Sequence, residues 1–459
     1  MNAPAAEVAS DPSRSLAEGI ASIRYQAMPA ATVAAAQRLV LDSLAVALAG
    51  RGGNDVEALL ALASDWGGNP QAAILGSRIR VPAPAAALVN GTMIQALDFD
   101  DTHDVTAGHK ASTVLAAALA VCEARGRSGR DLLASVTAGV EMAVRVGLAC
   151  TDKIGWTSTA IYGAFGAAAA AAHALGLDAG KTRHAFGIVL SQTAGTTQTA
   201  LDWPLSKHMQ SGFMAKAGVL SALLAERGVT GVEGVFEGKF GFYHLYKGGR
   251  YSAEPLHAPW GASFHIEDLA LKPYPSCRAT HPPVDAALAL APRLEGEAID
   301  SIRIVVPPVA HQLAGKRFSE GDNPIIAAQF SIEYTVATAL LRRSLSLKHF
   351  RLGAIRDPAV QALMQRIRIE IGEAVAEFAP AIIEITCASG KRLAHTATEL
   401  KGDRATPLSE EELTAKIVDC LEYAPPRTTG IDATGLRRVV ADLPASSTAA
   451  LIAALTPGN

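Results

Sequence analysis

With 459 residues the chain has room for two or three domains and a sizeable buried core. Hydrophobic residues make up 49%, charged residues 19%, and the formal net charge is -3. This is an Ala-rich globular composition without the Lys/Arg runs that nucleic acid or an anionic membrane surface requires as partner. The five cysteines, Cys122, Cys150, Cys277, Cys387 and Cys420, have no CxxC spacing. That pattern excludes zinc ribbons, disulfide frameworks and a three-thiolate iron–sulfur cluster, and it fits a reduced, cytoplasmic compartment.

The first fourteen residues are small and polar, with no basic stretch followed by an apolar core, so they do not read as a secretory signal. Residues 31–48 carry Val33, Leu39, Val40, Leu44 and Leu48 at helical spacing, and Gly50 falls where a helix would end. Residues 54–64 repeat the pattern until Gly67-Gly68-Asn69-Pro70 breaks it. Pro82 and Pro84 open a helix over 85–97, whose C-terminal end leads into an acidic stretch. Segments 111–124, 129–150 and 159–175 read as further helices. Their many Ala and Gly residues let helix axes approach closely. The Ala-rich runs at 113–120 and 164–174 are too short and too small in side chain to span a bilayer.

The composition shifts near residue 270. Segments 302–306, 367–371 and 382–386 alternate apolar and polar residues with β-branched enrichment, which predicts strands. Helices are expected between them at 283–291, 327–341 and 358–366. After Gly402 the chain returns to helix at 409–420, opened by a Ser-Glu-Glu-Glu capping box, and then at 431–440 and 447–455. The fold expected is mainly α. A large all-helical domain is formed by both chain ends (1–268 and 398–459), and a smaller α+β domain (269–397) carries a largely antiparallel sheet.

Chemistry concentrates in three places. The first is Leu97-Asp98-Phe99-Asp100-Asp101-Thr102-His103-Asp104, followed by His109 and Lys110. Each buried carboxylate costs several kcal/mol unless paired, so four of them in an apolar surrounding point to the floor of a site. The second is the turn-like segment around Asp202, Trp203, Pro204, Lys207 and His208, with Gly212 after it. The third runs from Lys272 through Tyr274, Cys277 and Arg278 to His281. Cations facing carboxylates and imidazoles suit a small polycarboxylate whose proton beside a carboxylate is removed. Tyr274 as proton donor and Arg278 as bidentate carboxylate clamp follow from side-chain chemistry alone. Asp100, Asp101 and Asp104 read as capping and ion-pairing groups, and Cys277 as a packed thiol.

These segments resemble the signature stretches of the MmgE/PrpD family: Asp98-Phe-Asp-Asp-Thr-His103, His109-Lys-Ala-Ser112, Lys207 with Gly212, and Lys272-Pro-Tyr-Pro-Ser-Cys277 with His281. Lys401-Gly402-Asp403 extends the resemblance toward the C-terminus. The family includes 2-methylcitrate dehydratase, cis-aconitate decarboxylase and iminodisuccinate epimerase. The resemblance implies a homodimer with a helical domain and an α+β lid, working without metal or organic cofactor. It marks Asp98, Thr102, His109, Lys207, Lys272 and His281 as pocket residues; His103, Tyr274 and Arg278, chosen on their own side-chain chemistry, join Thr102 and His281 as substrate-binding candidates. His109 is the expected proton-transferring imidazole, since an ordinary histidine titrates near 6.5. Lys207 and Lys272 are expected to hold carboxylates and offset carbanion charge, Asp98 to orient a lysine or imidazole, and Thr102 to supply a hydroxyl.

One position departs from the pattern. Where dehydratase and decarboxylase members tend to have His after Gly-Trp, this chain has Gly155-Trp156-Thr157. A cofactor-independent lyase is the first reading, with an epimerase or isomerase of an amino- or imino-dicarboxylate as the alternative. A non-catalytic metabolite binder on the same fold is a further reading. Asp100-Asp101-Thr102-His103-Asp104 also fits the DDxxD pattern of magnesium-dependent isoprenoid enzymes. Against that stand the single copy of the pattern and the 5% aromatic content.

Overall fold

The computed structural model describes residues 11–151 and 155–458, so the first ten residues of the N-terminal stretch lie outside the described residues. The chain is mainly α. In order, α1 (Pro12–Ser22), α2 (Ala30–Gly50) and α3 (Asn54–Trp66) precede a two-stranded ribbon, β1 (Ala72–Ala73) and β2 (Arg80–Val81). Then come α4 (Ala83–Gln95), α5 (Ala111–Ala124), α6 (Gly129–Leu148), α7 (Ser158–Leu175), α8 (Ala179–Leu190) and α9 (Ser206–Glu226). Helix α2 is long and apolar enough to cross a membrane by length and composition, but 72% of its most apolar window is buried inside the protein.

Small residues bring the helix backbones together, as their sequence predicts. A Cβ on Gly139 of α6 would sit 2.7 Å from the Gly166 carbonyl of α7, and one on Gly212 of α9 would sit 2.3 Å from the Leu88 carbonyl of α4. That crossing of α4 and α9 matters for the site, because α4 runs into the acidic stretch and α9 carries Lys207. The segment around Lys207, read from its proline and glycine as a loop, is the first turn of a 21-residue helix. Pro204 precedes the helix start, and Gly212 serves close packing instead of a turn.

The second half holds α10 (His281–Leu290), β3 (Ile299–Val306), α11 (Pro324–Gln329), α12 (Ile332–Arg342), α13 (Pro358–Met364), β4 (Ile367–Ile371), β5 (Ala381–Cys387) and β6 (Arg392–Ala397). The single helix expected over 327–341 is broken at Phe330, and Ser331 caps α12 by accepting from the Tyr334 amide. The sheet order is β4-β3-β5-β6. It is largely antiparallel, as expected, through β3 with β5 and β5 with β6, and the exception is β3, which pairs with β4 in parallel, Ile302 opposite Ile367. The long, helix-bearing connection from β3 to β4 allows the parallel pairing, since parallel neighbours need a crossover. The chain closes with α14 (Glu410–Tyr423), α15 (Ala433–Ala441) and α16 (Thr448–Leu455); Ser409 and Glu412 form the expected capping box.

Buried apolar side chains group into two cores. One gathers residues from Leu16 to Leu271 together with Leu347 and residues from Leu408 to Leu455. The other gathers residues from Cys277 to Ala397. The acidic stretch and the Lys272 segment meet between them.

Candidate active site

Helix α4 ends at Gln95, and the chain reverses through Asp98, whose φ of 51° lies in the left-handed region. Asp tolerates that conformation better than most residues because its short polar side chain bonds locally. Here the strained turn puts both the carbonyl and the carboxylate of Asp98 toward one cation. Lys272 Nζ donates to Asp98 O at 2.7 Å and to Oδ1 at 2.6 Å. Lys207 Nζ, from the first turn of α9, lies 3.4 Å from Oδ2. Its ammonium also sits 4.7 Å from the centre of the Phe330 ring. Burial alone would raise the Asp98 carboxyl, but Lys207, Lys272 and His109 outweigh it and hold it well below the usual carboxylate range.

His109 faces the same carboxylate, with Nε2 3.5 Å from Asp98 Oδ1. Its ring is fixed from behind: Nδ1 lies 2.8 Å from the Asp101 carbonyl and 2.9 Å from Asp100 Oδ1. Its backbone amide donates to the Thr159 hydroxyl at 3.0 Å, which ties the loop to the start of α7. Two acceptors around Nδ1 place the ring proton there in the neutral form and leave the Nε2 lone pair toward Asp98 and the lysines. The four residues expected to do the chemistry, Asp98, His109, Lys207 and Lys272, are therefore brought together.

The remaining acidic residues hold the loop. Asp101 accepts from the amides of Lys110 and Ala111 at 3.0 and 2.9 Å, capping α5. Burial and the neighbouring Asp100 raise its carboxyl to about 6. Thr102 exchanges backbone hydrogen bonds with Ala270, so the acidic stretch is stitched to the strand-like approach to Lys272. Asp104 takes a bidentate pair from Arg278, at 3.0 and 2.8 Å.

The other candidate binding residues are engaged within the protein. Arg278 also donates to the carbonyls of Lys401 and Leu400, so its guanidinium clamps Asp104 and the 400–401 backbone. Tyr274 donates its hydroxyl to Asp285 at 2.6 Å. His281 is buried, with Arg278 Nη1 3.3 Å from Nδ1 and the Ser276 carbonyl 3.2 Å from Nε2. Burial, Arg278 and Lys272 keep that imidazole neutral, well below its ordinary range. His103 accepts from the Thr106 amide at Nδ1, and burial together with Lys110 lowers it to about 3. Neither ring is a cationic proton donor near neutral pH. Burial pushes the Cys277 thiol up to about 11, which fits a packed thiol and not a nucleophile.

Among the described residues two groupings have metal-like spacing, Asp98 with Asp100 and His109, and His103 with His265 and Asp268. In the first, both Asp98 oxygens face ammonium groups, which compete with a cation for the same lone pairs. In the second, Asp268 already pairs with Arg404 and His265. His103 Nδ1 accepts a backbone hydrogen bond, which leaves its proton on Nε2 and not a free lone pair.

Thr157 stands at the N-cap position of α7, without a side-chain capping bond, two residues before the Thr159 hydroxyl that holds His109. The substituted position thus lies beside the site and not remote from it.

Sequence reasoning passed over two buried groups beneath this floor. Lys416 of α14 donates to the Phe99 carbonyl at 2.8 Å and pairs with Asp42 of α2 at 2.6 Å. The signal was present: Lys416 falls on the same face as Leu413, Ile417 and Cys420, and Asp42 interrupts the apolar run of α2. A charge on an apolar stripe needs a partner.

Residues 14–254 match the model of the MmgE/PrpD N-terminal domain, and residues 274–432 that of the MmgE/PrpD C-terminal domain. The chain belongs to the MmgE/PrpD family. Among its relatives, the cis-aconitate decarboxylase of Mus musculus is 27% identical over 409 residues, covering 83% of this chain and 80% of the relative. A cis-aconitate decarboxylase of Aspergillus terreus is 28% identical over 345 residues, 70% of each chain. The cis-aconitate decarboxylase-like protein oryM of Aspergillus oryzae is 27% identical over 375 residues, 76% of this chain and 78% of the relative. These MmgE/PrpD relatives support a decarboxylase- or dehydratase-type function at the level of the family.

Proposed function

We propose that this MmgE/PrpD chain is a lyase that acts on a small di- or tricarboxylic acid without metal or organic cofactor. The observation that carries the reading is the convergence of two buried ammonium groups and one imidazole on Asp98. Lys207 and Lys272 bind substrate carboxylates and offset the negative charge that develops on the adjacent carbon. In dehydration, His109 Nε2 removes a proton from that carbon as hydroxide leaves with a proton from the pocket. In decarboxylation, the carbon–carbon bond breaks, carbon dioxide departs, and His109, after taking a proton from solvent at Nε2, delivers it to the carbanion and returns to the neutral ring.

An epimerase of an amino- or imino-dicarboxylate is the second reading. What supports it is Thr157, two residues before the Thr159 hydroxyl that holds His109: the family resemblance implies a histidine after Gly-Trp, and with Thr there lysine and histidine remain as the proton-handling groups. Proton NMR in deuterated water with citrate-like, aconitate-like and amino-dicarboxylate compounds separates the readings. Loss of water or carbon dioxide supports the lyase; deuterium incorporation without net loss of substrate supports the epimerase. No change in any compound would overturn both.

A further inference from the structure

The acidic stretch contains one carboxylate that its neighbours do not account for. Asp98 has Lys207 and Lys272, Asp101 has two backbone amides, Asp104 has Arg278, and Asp42 beneath them has Lys416. Asp100 is fully buried, and among the described residues neither of its oxygens accepts a hydrogen bond. What it does have is His109, whose Nδ1 is 2.9 Å from Oδ1. An uncompensated buried carboxylate is strongly unfavourable, so a cation or a shared proton has to stand beside it.

We infer that Asp100 is the positioning carboxylate of His109, the counter-charge that holds the ring with Nδ1 protonated and Nε2 toward the pocket. The Asp101 carbonyl takes the hydrogen bond from Nδ1 at 2.8 Å, and Asp100 supplies the charge beside it. Carbonyl and carboxylate thus divide orientation and electrostatics between them, the logic by which a buried acid supports an imidazole in acid–base catalysis. When Nε2 takes a proton, the resulting imidazolium has its counter-ion already in place; when Nε2 gives the proton back, the ring returns to the Nδ1–H form. No atom moves onto Asp100.

Behind Asp100 lies Asp42, whose carboxyl is raised by burial and, in part, by Asp100, against the lowering influence of Lys416. Lys416 anchors the Phe99 carbonyl, so the charge balance under the ring is held by α2 and α14, from opposite ends of the chain. Facing His109 itself are Asp98, Asp100 and the Asp101 carboxyl from the acidic stretch, with Lys207 and Lys272 reaching it through Asp98.

This inference deepens the role given to His109 under the proposed function, and its test needs no substrate. The full chain labelled with 15N-histidine is titrated by NMR, with His109 assigned by its loss in His109→Gln. In the native protein the neutral His109 ring should carry its proton on Nδ1, and in Asp100→Asn its titration should move to lower pH. Asn keeps the size of Asp, so a purely structural Asp100 would leave the titration in place. An Nε2–H tautomer in the native protein, or coincident titrations of the native protein and a folded Asp100→Asn, would overturn the inference. The Asp101 carbonyl by itself also favours Nδ1–H, so the charge of Asp100 is decided by the titration shift, read in Asp100→Asn or, where that does not fold, in Asp100→Ser. If the tautomer and shift are as stated while the substrate panel stays silent, the His109–Asp100 pair stands and the reading of the reaction fails.

Discussion

Replacing Asp98 by Asn isolates the charge at the centre of the site. Asn is isosteric and tolerates the left-handed backbone of residue 98, and the Asp98 carbonyl that accepts from Lys272 remains. The change therefore removes one negative charge between two ammonium groups whose side chains are only 9% and 1% exposed. Removing one partner of a buried ion pair costs about 3–5 kcal/mol, because the surviving charge is left uncompensated. Asp98→Asn should lower the unfolding free energy by that amount, read as a fall of the urea midpoint at unchanged slope. A small dicarboxylate should then recover part of the loss, since it binds the folded site and supplies the missing charge. At a hundredfold excess over its Kd the recovery is about 2.7 kcal/mol. The readout is the urea midpoint of both proteins with and without cis-aconitate or succinate. A loss below about 1 kcal/mol, or a variant indifferent to the dicarboxylate, would refute the view of Asp98 as the resting occupant of a carboxylate-binding cation pair.

Acid should destabilise the protein through His103. Its folded value of about 3 lies below the ordinary 6.5, so its contribution is complete above pH 6.5 and is lost as pH falls toward 3. By pH 4 the loss is roughly 3 kcal/mol. Asp101, raised to about 6, works in the opposite sense, so the clean quantity is the stability difference between the native protein and His103→Asn. That difference should shrink between pH 7 and pH 4, as measured by urea unfolding; a pH-independent difference would contradict the assignment of a neutral buried ring. Gly212→Ala should cost about 1–3 kcal/mol by driving α4 and α9 apart, and should weaken dicarboxylate binding because Lys207 rides on α9. Calorimetric titration checks the binding, and equal affinity in a destabilised variant would uncouple the helix crossing from the site.

Much of the site was legible because its chemistry is local. Asp98, Thr102 and His109 lie within one stretch, and the helices that flank it follow from apolar spacing and from caps such as Ser409 with Glu412. What stayed hidden was set by distant packing. Lys207 read as a loop residue because Gly212 resembles a breaker, whereas its missing side chain admits the Leu88 carbonyl. Strand β6, Arg-Leu-Ala-His-Thr-Ala, has Thr396 as its single β-branched residue, fewer than announced its neighbours, and is held by pairing with β5. The parallel register of β3 with β4 leaves no mark in either strand alone. Arg278 and Tyr274 have the chemistry of substrate ligands, but Asp104 and Asp285 lie where only the tertiary fold brings them. Asp100 read as a capping group because nothing in the sequence says that His109 returns to it.

The central claim is that His109 moves the proton while Lys207 and Lys272 hold the substrate. It is tested most directly by following the native protein and His109→Gln side by side, by proton NMR in deuterated water, on whichever carboxylic acid of the panel is turned over. The account predicts a fall of about a hundredfold to ten-thousandfold in turnover for His109→Gln, with little change in the affinity for that acid. Undiminished turnover, or a loss confined to affinity, would contradict it.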